Sequence, residues 1–180
     1  MSDSVEVWEQ SPRGMLKVYQ AQPYKMGESI ADLIDNCYDA NANRIDVKID
    51  FDPHTDDLYI RILDDGDGIP EDSWKGAMAL GTEKVRPKEE LGIYGVGMKL
   101  SALSQADEVT VASVNDGNFG LRRISADFIR EFGRNELLVT NTESEAYKEG
   151  YEKLISGKWS TMVLLENIHT EKNFTSLGTK

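Results

Sequence analysis

Three short segments, met in a set order along the chain, limit what it can fold into and what it can hold. The first is Asp32-Leu33-Ile34-Asp35-Asn36-Cys37-Tyr38-Asp39-Ala40. The second is Asp64-Asp65-Gly66-Asp67-Gly68, and the third is Gly92-Ile93-Tyr94-Gly95-Val96-Gly97-Met98-Lys99. Between them the hydrophobic pattern switches between a period of 3.6 and a period of two, which marks a mixed α/β layer domain. Residues 27–41 read as a helix, with Ile30, Leu33, Ile34 and Cys37 on one arc and Asp32, Asn36 and Asp39 across from it. Alternation over 44–51 and again over 58–63, joined by Asp52-Pro53-His54-Thr55-Asp56-Asp57, predicts a hairpin. Helical spacing returns after Pro70 and over 95–105. Strands are expected over 109–114, 119–128 and 137–140, a helix over 143–155 and a last strand over 161–166. The first twenty or so residues show no clear period and read as an arm or edge element. Residues 81–90 read as a mobile loop, and the stretch from Asn167 as a tail or truncated linker.

Each segment has a chemical use and an ordinary alternative. Asp32 and Asn36 lie one helical turn apart and can aim at one small object. The carboxylate suits a water to be oriented or deprotonated, and the amide oxygen suits magnesium. The alternative is a solvated helix face. The second segment follows directly on a strand. It is a tight turn, a calcium loop, or a carboxylate beside side-chain-free backbone where a flat base can approach. The calcium pattern needs a closing Glu at its twelfth position, and counting from Asp64 puts Lys75 there. The third is not the P-loop, because Met98 stands where that pattern wants Lys. Nor does its glycine spacing fit the Rossmann fingerprint. A glycine-rich loop running into a helix N-terminus offers N–H groups to phosphates, with Lys99 as a cation. Its alternative is a close-packed loop with a surface lysine.

The composition agrees with a ligand of that kind. A net charge of −12 with scattered Lys and Arg makes direct nucleic-acid binding by this segment unexpected. No apolar run is long enough to span a membrane, and the start lacks a signal-peptide pattern. One cysteine, Cys37, cannot form an internal disulfide, so a reducing, cytoplasmic compartment is expected.

The three segments together resemble the GHKL ATPase superfamily, which groups gyrase B, the ninety-kilodalton heat-shock chaperone, histidine kinases and MutL. Gly81-Thr82-Glu83-Lys84 followed by the Gly92–Lys99 loop looks most like the MORC branch and its bacterial relatives. The resemblance implies a Bergerat-type α/β fold (an α+β sandwich), with a mixed, mostly antiparallel sheet and helices on one face. It implies an arm over 1–23, the ATP-binding domain over 24–166 and a tail over 167–180. Carried over, Asn36 would coordinate Mg2+ and Asp39 would support the site. Asp64 would accept the adenine amine, with Gly66 and Gly68 lining the base pocket. Gly81, Thr82 and Lys84 would belong to a lid. Gly92, Gly95, Val96 and Gly97 would wrap the phosphates with Lys99 nearby, and Thr161 would stand on a strand near adenine.

Two residues depart from the family pattern. Ser160 precedes Thr161 where the family usually has Gly, and Asp32 replaces the catalytic Glu, shortening its reach by one methylene. The implied activity is magnesium-dependent ATP binding with slow hydrolysis. ATP and ADP would be the ligands, with ATP-driven homodimerisation through the arm and a partner protein or downstream domain to be gated. A nucleotide switch with little hydrolysis is the runner-up. Phosphotransfer of the histidine-kinase kind is disfavoured, because no phosphoacceptor helix is evident. His54, in a turn, and His169, in the tail, read as surface residues.

Overall fold

The first of the three segments sits on the second of two N-terminal helices. In a computed structural model, which describes residues 10–78, 97–140 and 142–170, α1 is Pro12–Gln20 and α2 is Met26–Asp39. Helix α2 starts where the Lys25 N–H donates to the Glu28 carboxylate at 3.0 Å. It buries Leu33 and Cys37, one turn apart on its inner side. It stops at Asn41, whose φ is +59°, a conformation Asn tolerates better than most residues.

Strands β1 (Ile45–Phe51) and β2 (Leu58–Asp64) form the expected hairpin. Asp52 is its corner: one carboxylate oxygen accepts from the His54 and Thr55 N–H groups, the other from Glu145 N–H. A 3₁₀ turn at Glu71–Ser73 leads into α3 (Trp74–Met78). Helix α4 (Gly97–Gln105), strands β3 (Ala106–Asn115) and β4 (Asn118–Ser125), α5 (Ala126–Phe132), α6 (Glu145–Ile155) and β5 (Thr161–Ile168) follow. Among the described residues the sheet has five strands in the order β1-β2-β5-β3-β4, and every pairing is antiparallel.

The central strands are apolar on both sides. Ile60, Ile62, Val109, Val111, Val163 and Leu165 join a core with residues of α1, α2, α4 and α5. Tyr59, Leu63, Ala112, Met162 and Leu164 face Ala146, Tyr147 and Leu154 of α6 on the other side. Trp74 and Met78 of α3 join the same core, so among the described residues five helices gather on one face, and α6 lies on the opposite one. Each fully buried leucine, such as Leu33, Leu63 or Leu164, contributes about 1.5–3 kcal/mol relative to exposure. Buried Arg61 is held under α6 by the Ala146 carbonyl at 3.0 Å and Glu149 at 2.8 Å.

Several elements differ from what the sequence predicts. The stretch read as a shapeless arm contains α1, which starts on a Ser11 cap and Pro12 and buries Leu16 and Tyr19. The strand expected over 119–128 ends at Ser125, whose hydroxyl accepts from Phe128 N–H at 3.2 Å and starts α5. Its apolar residues continue without a break into the helix, so alternation alone misplaces the end. At the strand expected over 137–140, the described pairing is a single bridge, Arg123 to Leu138. The last strand runs on to buried Ile168. His169 is no free surface residue: its backbone N–H donates to the Gln105 carbonyl at 2.7 Å and its ring lies 2.8 Å from Asp107. Among the described residues no helix is long and apolar enough to cross a membrane.

Candidate functional site

The sheet register builds the site. Asp64, Thr161 and Ser113 stand opposite one another in one row across β2, β5 and β3, so their side chains share a face. Helix α2 packs over that face, and a cavity of about 210 Å³ opens between them. Asn36, Cys37 and Asp39 of α2, together with Asp64, Gly68 and Thr161, border it. Leu33, Ile69, Val111 and Val163 supply its apolar surface. Closed pockets for whole ligands run to about 300–1,000 Å³. This cavity suits a flat base, and a triphosphate must extend beyond it.

Asp64 is buried at 4% exposure. It accepts from Gly66 N–H at 3.0 Å and from the Ser160 hydroxyl at 3.4 Å. Burial raises its pKa, against hydrogen bonds from Gly66, Cys37 and Ser160 that favour the ionised form. Burial, and then the charge of Asp64, push the Cys37 thiol up to about 12, so Cys37 is a neutral wall of the cavity. Ser113 accepts from Ile69 N–H at 2.9 Å, donates to the Ser160 carbonyl at 2.9 Å and lies 3.3 Å from the Thr161 hydroxyl.

The remaining acids of the second segment lock the turn to the connection between α2 and β1. Asp65 accepts from Asn43 N–H, Arg44 N–H and the Arg44 guanidinium. The Arg44 hydrogen bonds lower its pKa to about 2. Asp67 accepts from the Asn41 amide, and its N–H donates to the Ala40 carbonyl at 2.8 Å. A Cβ at Gly66 would collide with that same carbonyl. Gly68 has φ +73°, and a Cβ there would meet the Val114 carbonyl. Both glycines are needed for the close approach of this turn to its neighbours.

In the last turn of α2, Asn36 Nδ2 donates to the Asp32 backbone carbonyl at 2.5 Å, which assigns the amide oxygen as the remaining acceptor. That oxygen is one hard ligand of the kind magnesium accepts, and the remaining ligands would have to come from water or a substrate. Among the described residues no cluster of three or more His, Cys, Asp and Glu could hold a metal by itself. Asp32 is half-buried and one turn before Asn36, outside the cavity lining. Burial, then the charges of Asp35 and Glu28, raise its pKa.

Of the residues singled out in sequence, Asn36, Asp39, Asp64, Gly68 and Thr161 meet at one cavity, with Gly66 beside Asp64. Gly97 opens α4, which contains Lys99. Gly81, Thr82, Lys84, Gly92, Gly95 and Val96 lie outside the described residues. Sequence reasoning misses Ser113. Its signal is parity: it continues the inward series Val109, Val111 on β3.

A strand-end carboxylate, a glycine turn and a helix asparagine around one cavity, on an antiparallel sheet, define a GHKL-type ATP-binding domain. Residues 24–157 match the family of histidine kinase-, DNA gyrase B- and HSP90-like ATPases, and the chain belongs to it. It is similar to ATPase morc-1 of Caenorhabditis elegans, at 27% identity over 74% of this chain and 17% of the worm protein. It is also similar to the mouse MORC family CW-type zinc finger protein 3, at 23% identity over 82% of this chain and 19% of that one. Protein MICRORCHIDIA 3 of Arabidopsis thaliana is 29% identical over 72% of this chain and 23% of its own length. The chain therefore spans about a fifth of the length of these MORC relatives.

Proposed function

We propose that this domain binds ATP with magnesium at the α2–β2 cavity and hydrolyses it slowly. The observation that carries the proposal is the convergence of Asn36, Asp39, Asp64, Gly68 and Thr161 on one cavity. Asp64 accepts a hydrogen bond from the adenine amine, and the apolar surface around Leu33, Ile69 and Val163 receives the ring. The Asn36 oxygen would hold magnesium, which would supply neutralisation of the phosphate charge when bound. Asp32 orients a water and takes its proton as the water oxygen attacks the γ-phosphorus. The bond from that phosphorus to the bridging oxygen breaks, and ADP and inorganic phosphate leave. A carboxylate with a raised pKa is a stronger base than a surface aspartate.

The segment with Gly81, Thr82 and Lys84 closes as a lid. The loop with Gly92, Gly95, Val96 and Gly97 wraps the phosphates, with Lys99 as cation. Closure drives homodimerisation through the N-terminal residues and gates a partner protein or a downstream domain of the longer protein. The second reading, a nucleotide switch with little turnover, is favoured by one observation: Asp32 stands outside the cavity lining and is shorter than the glutamate of the family pattern.

Turnover of the purified chain with Mg-ATP separates the readings. The proposal expects Asp32→Ala to lower the rate by about 100-fold or more with ATP affinity little changed. A rate unchanged in Asp32→Ala removes Asp32 from the chemistry.

A further inference from the structure

Resting on the reading of Asp64 as the acceptor of the adenine amine, we propose that Ser113 is a positioning residue for specificity. It sets the direction of the Thr161 hydroxyl, so that Asp64 and Thr161 both offer acceptors to the cavity and select a base carrying a primary amine.

Elimination assigns the protons in this row. Ser113 is buried at 1% exposure, and its hydroxyl oxygen meets three partners. Ile69 N–H, at 2.9 Å, can only donate. The Ser160 carbonyl, also at 2.9 Å, can only accept. That carbonyl is pinned, because it accepts from Val114 N–H at 2.8 Å as well. Two oxygens as close as 2.9 Å need a proton between them. The single Ser113 proton therefore points at Ser160. Ile69 N–H occupies one Ser113 lone pair. The other faces the Thr161 hydroxyl at 3.3 Å, and Thr161 alone has a proton left for that contact. With its proton directed at Ser113, Thr161 keeps only lone pairs for the cavity it borders.

Asp64 has the same polarity. It stands opposite Thr161 in the β2–β5 register, and an ionised carboxylate only accepts. An exocyclic amine has two N–H groups and can satisfy both residues. A carbonyl at the same point meets lone pairs from both. Thr161 can suit a carbonyl only by turning its proton into the cavity. That would leave its oxygen and the Ser113 oxygen facing lone pair to lone pair in a buried site. Ser113 cannot relieve this by rotating, because Ile69 N–H and the Ser160 carbonyl hold its hydroxyl from two sides.

The test is calorimetry of each variant with ATP and with inosine triphosphate, whose base has a carbonyl in place of the amine. The wild-type chain is expected to prefer ATP by about tenfold or more. Ser113→Ala releases the Thr161 proton and is expected to cut that preference by about fivefold, the worth of one neutral hydrogen bond. The cut comes through tighter binding of inosine triphosphate. Thr161→Val removes the hydroxyl altogether. On that background Ser113→Ala is expected to change the preference by less than about twofold, because Ser113 acts through Thr161. A purely structural role would lower both affinities together and leave their ratio unmoved. Should Ser113→Ala fold poorly, Ser113→Cys fills the space with a weak acceptor and is held to the same outcomes. A wild-type preference that survives intact in Ser113→Ala overturns the inference and leaves the reading of Asp64 standing. A cut of the same size with Thr161→Val in place does the same. A wild-type chain without any preference overturns that reading, and the inference with it.

Discussion

The two ends of the proposed nucleotide site are built to different standards. At the adenine end, Asp64 is buried, tied to the Gly66 backbone and the Ser160 hydroxyl, and aligned by sheet register with Thr161 and Ser113. At the phosphate end, Asp32 is half-buried beside Asp35 and Glu28, and Asn36 contacts its backbone rather than its carboxylate. A strand row cannot shift one side chain without shifting its partners, whereas a helix face leaves each side chain to its own length. On the proposed reading, recognition of the base would rest on the sheet, and turnover on one methylene.

The largest effect is expected from the rigid end. Asp64→Asn keeps the size and an acceptor but removes the charge, and it should weaken ATP binding by about 100-fold in calorimetry. That corresponds to the upper range for a hydrogen bond to a charged group, about 1.5–3 kcal/mol. If the loss is only two-fold, the adenine end is not where recognition lies. At the other end, Asp32→Glu should restore reach and raise the hydrolysis rate by about tenfold, measured as phosphate release, with affinity unchanged. This follows from the roughly 100-fold penalty that a misplacement of about 1 Å can carry. A slower Asp32→Glu enzyme would mean the site is shaped around aspartate.

The two regions are not equally legible in sequence. The hairpin is, because β1 alternates and the polar turn 52–57 separates it from the apolar run of β2, and α2 is, because Leu33 and Cys37 recur at one turn. Asp64 is legible because it ends a strand and is followed by Gly66 and Gly68. Helix α1 is hidden because it buries only Leu16 and Tyr19 and carries Gly14 near its start. The β4–α5 junction is hidden because its switch is a single hydroxyl, Ser125. Ser113 owes its place to Thr161, 48 residues away, and a long-range register is invisible to local pattern. His169 fails for the same reason. Its partners, Ser104 and Asp107, come from a distant helix end and strand.

Acidity sharpens the contrast further. Burial raises the Asp64 pKa, and the proposed contact with the adenine amine is stronger with the ionised carboxylate. Affinity should therefore hold at neutral pH and fall as pH drops through the raised value, by up to about tenfold per unit below it. For stability the sign is opposite. A carboxyl with a higher pKa folded than unfolded costs stability when ionised, and that cost disappears at low pH. Asp107 behaves the other way: burial would raise it, but His169 and Arg130 outweigh this and hold it well below the usual carboxylate range. Its contribution is present at neutral pH and is lost in strong acid. Asp64→Asn should therefore flatten the fall of affinity in acid, and an unchanged pH profile of affinity would contradict the assignment of Asp64.

The smallest effect is expected from Ser113→Ala. It leaves Ile69 N–H without the bond at 2.9 Å and should cost about 1–2 kcal/mol, a fall in Tm of about 3–6 °C. ATP affinity should fall only a few-fold, because Asp64 keeps its other partners.

The central claim is that Asp64 reads the adenine amine in the α2–β2 cavity. Its most direct test compares the affinity of the wild-type chain for ATP and for inosine triphosphate, which carries a carbonyl in place of that amine. At least a tenfold preference for ATP that disappears in Asp64→Asn is the predicted result. Equal affinity for the two nucleotides in the wild-type chain would contradict it.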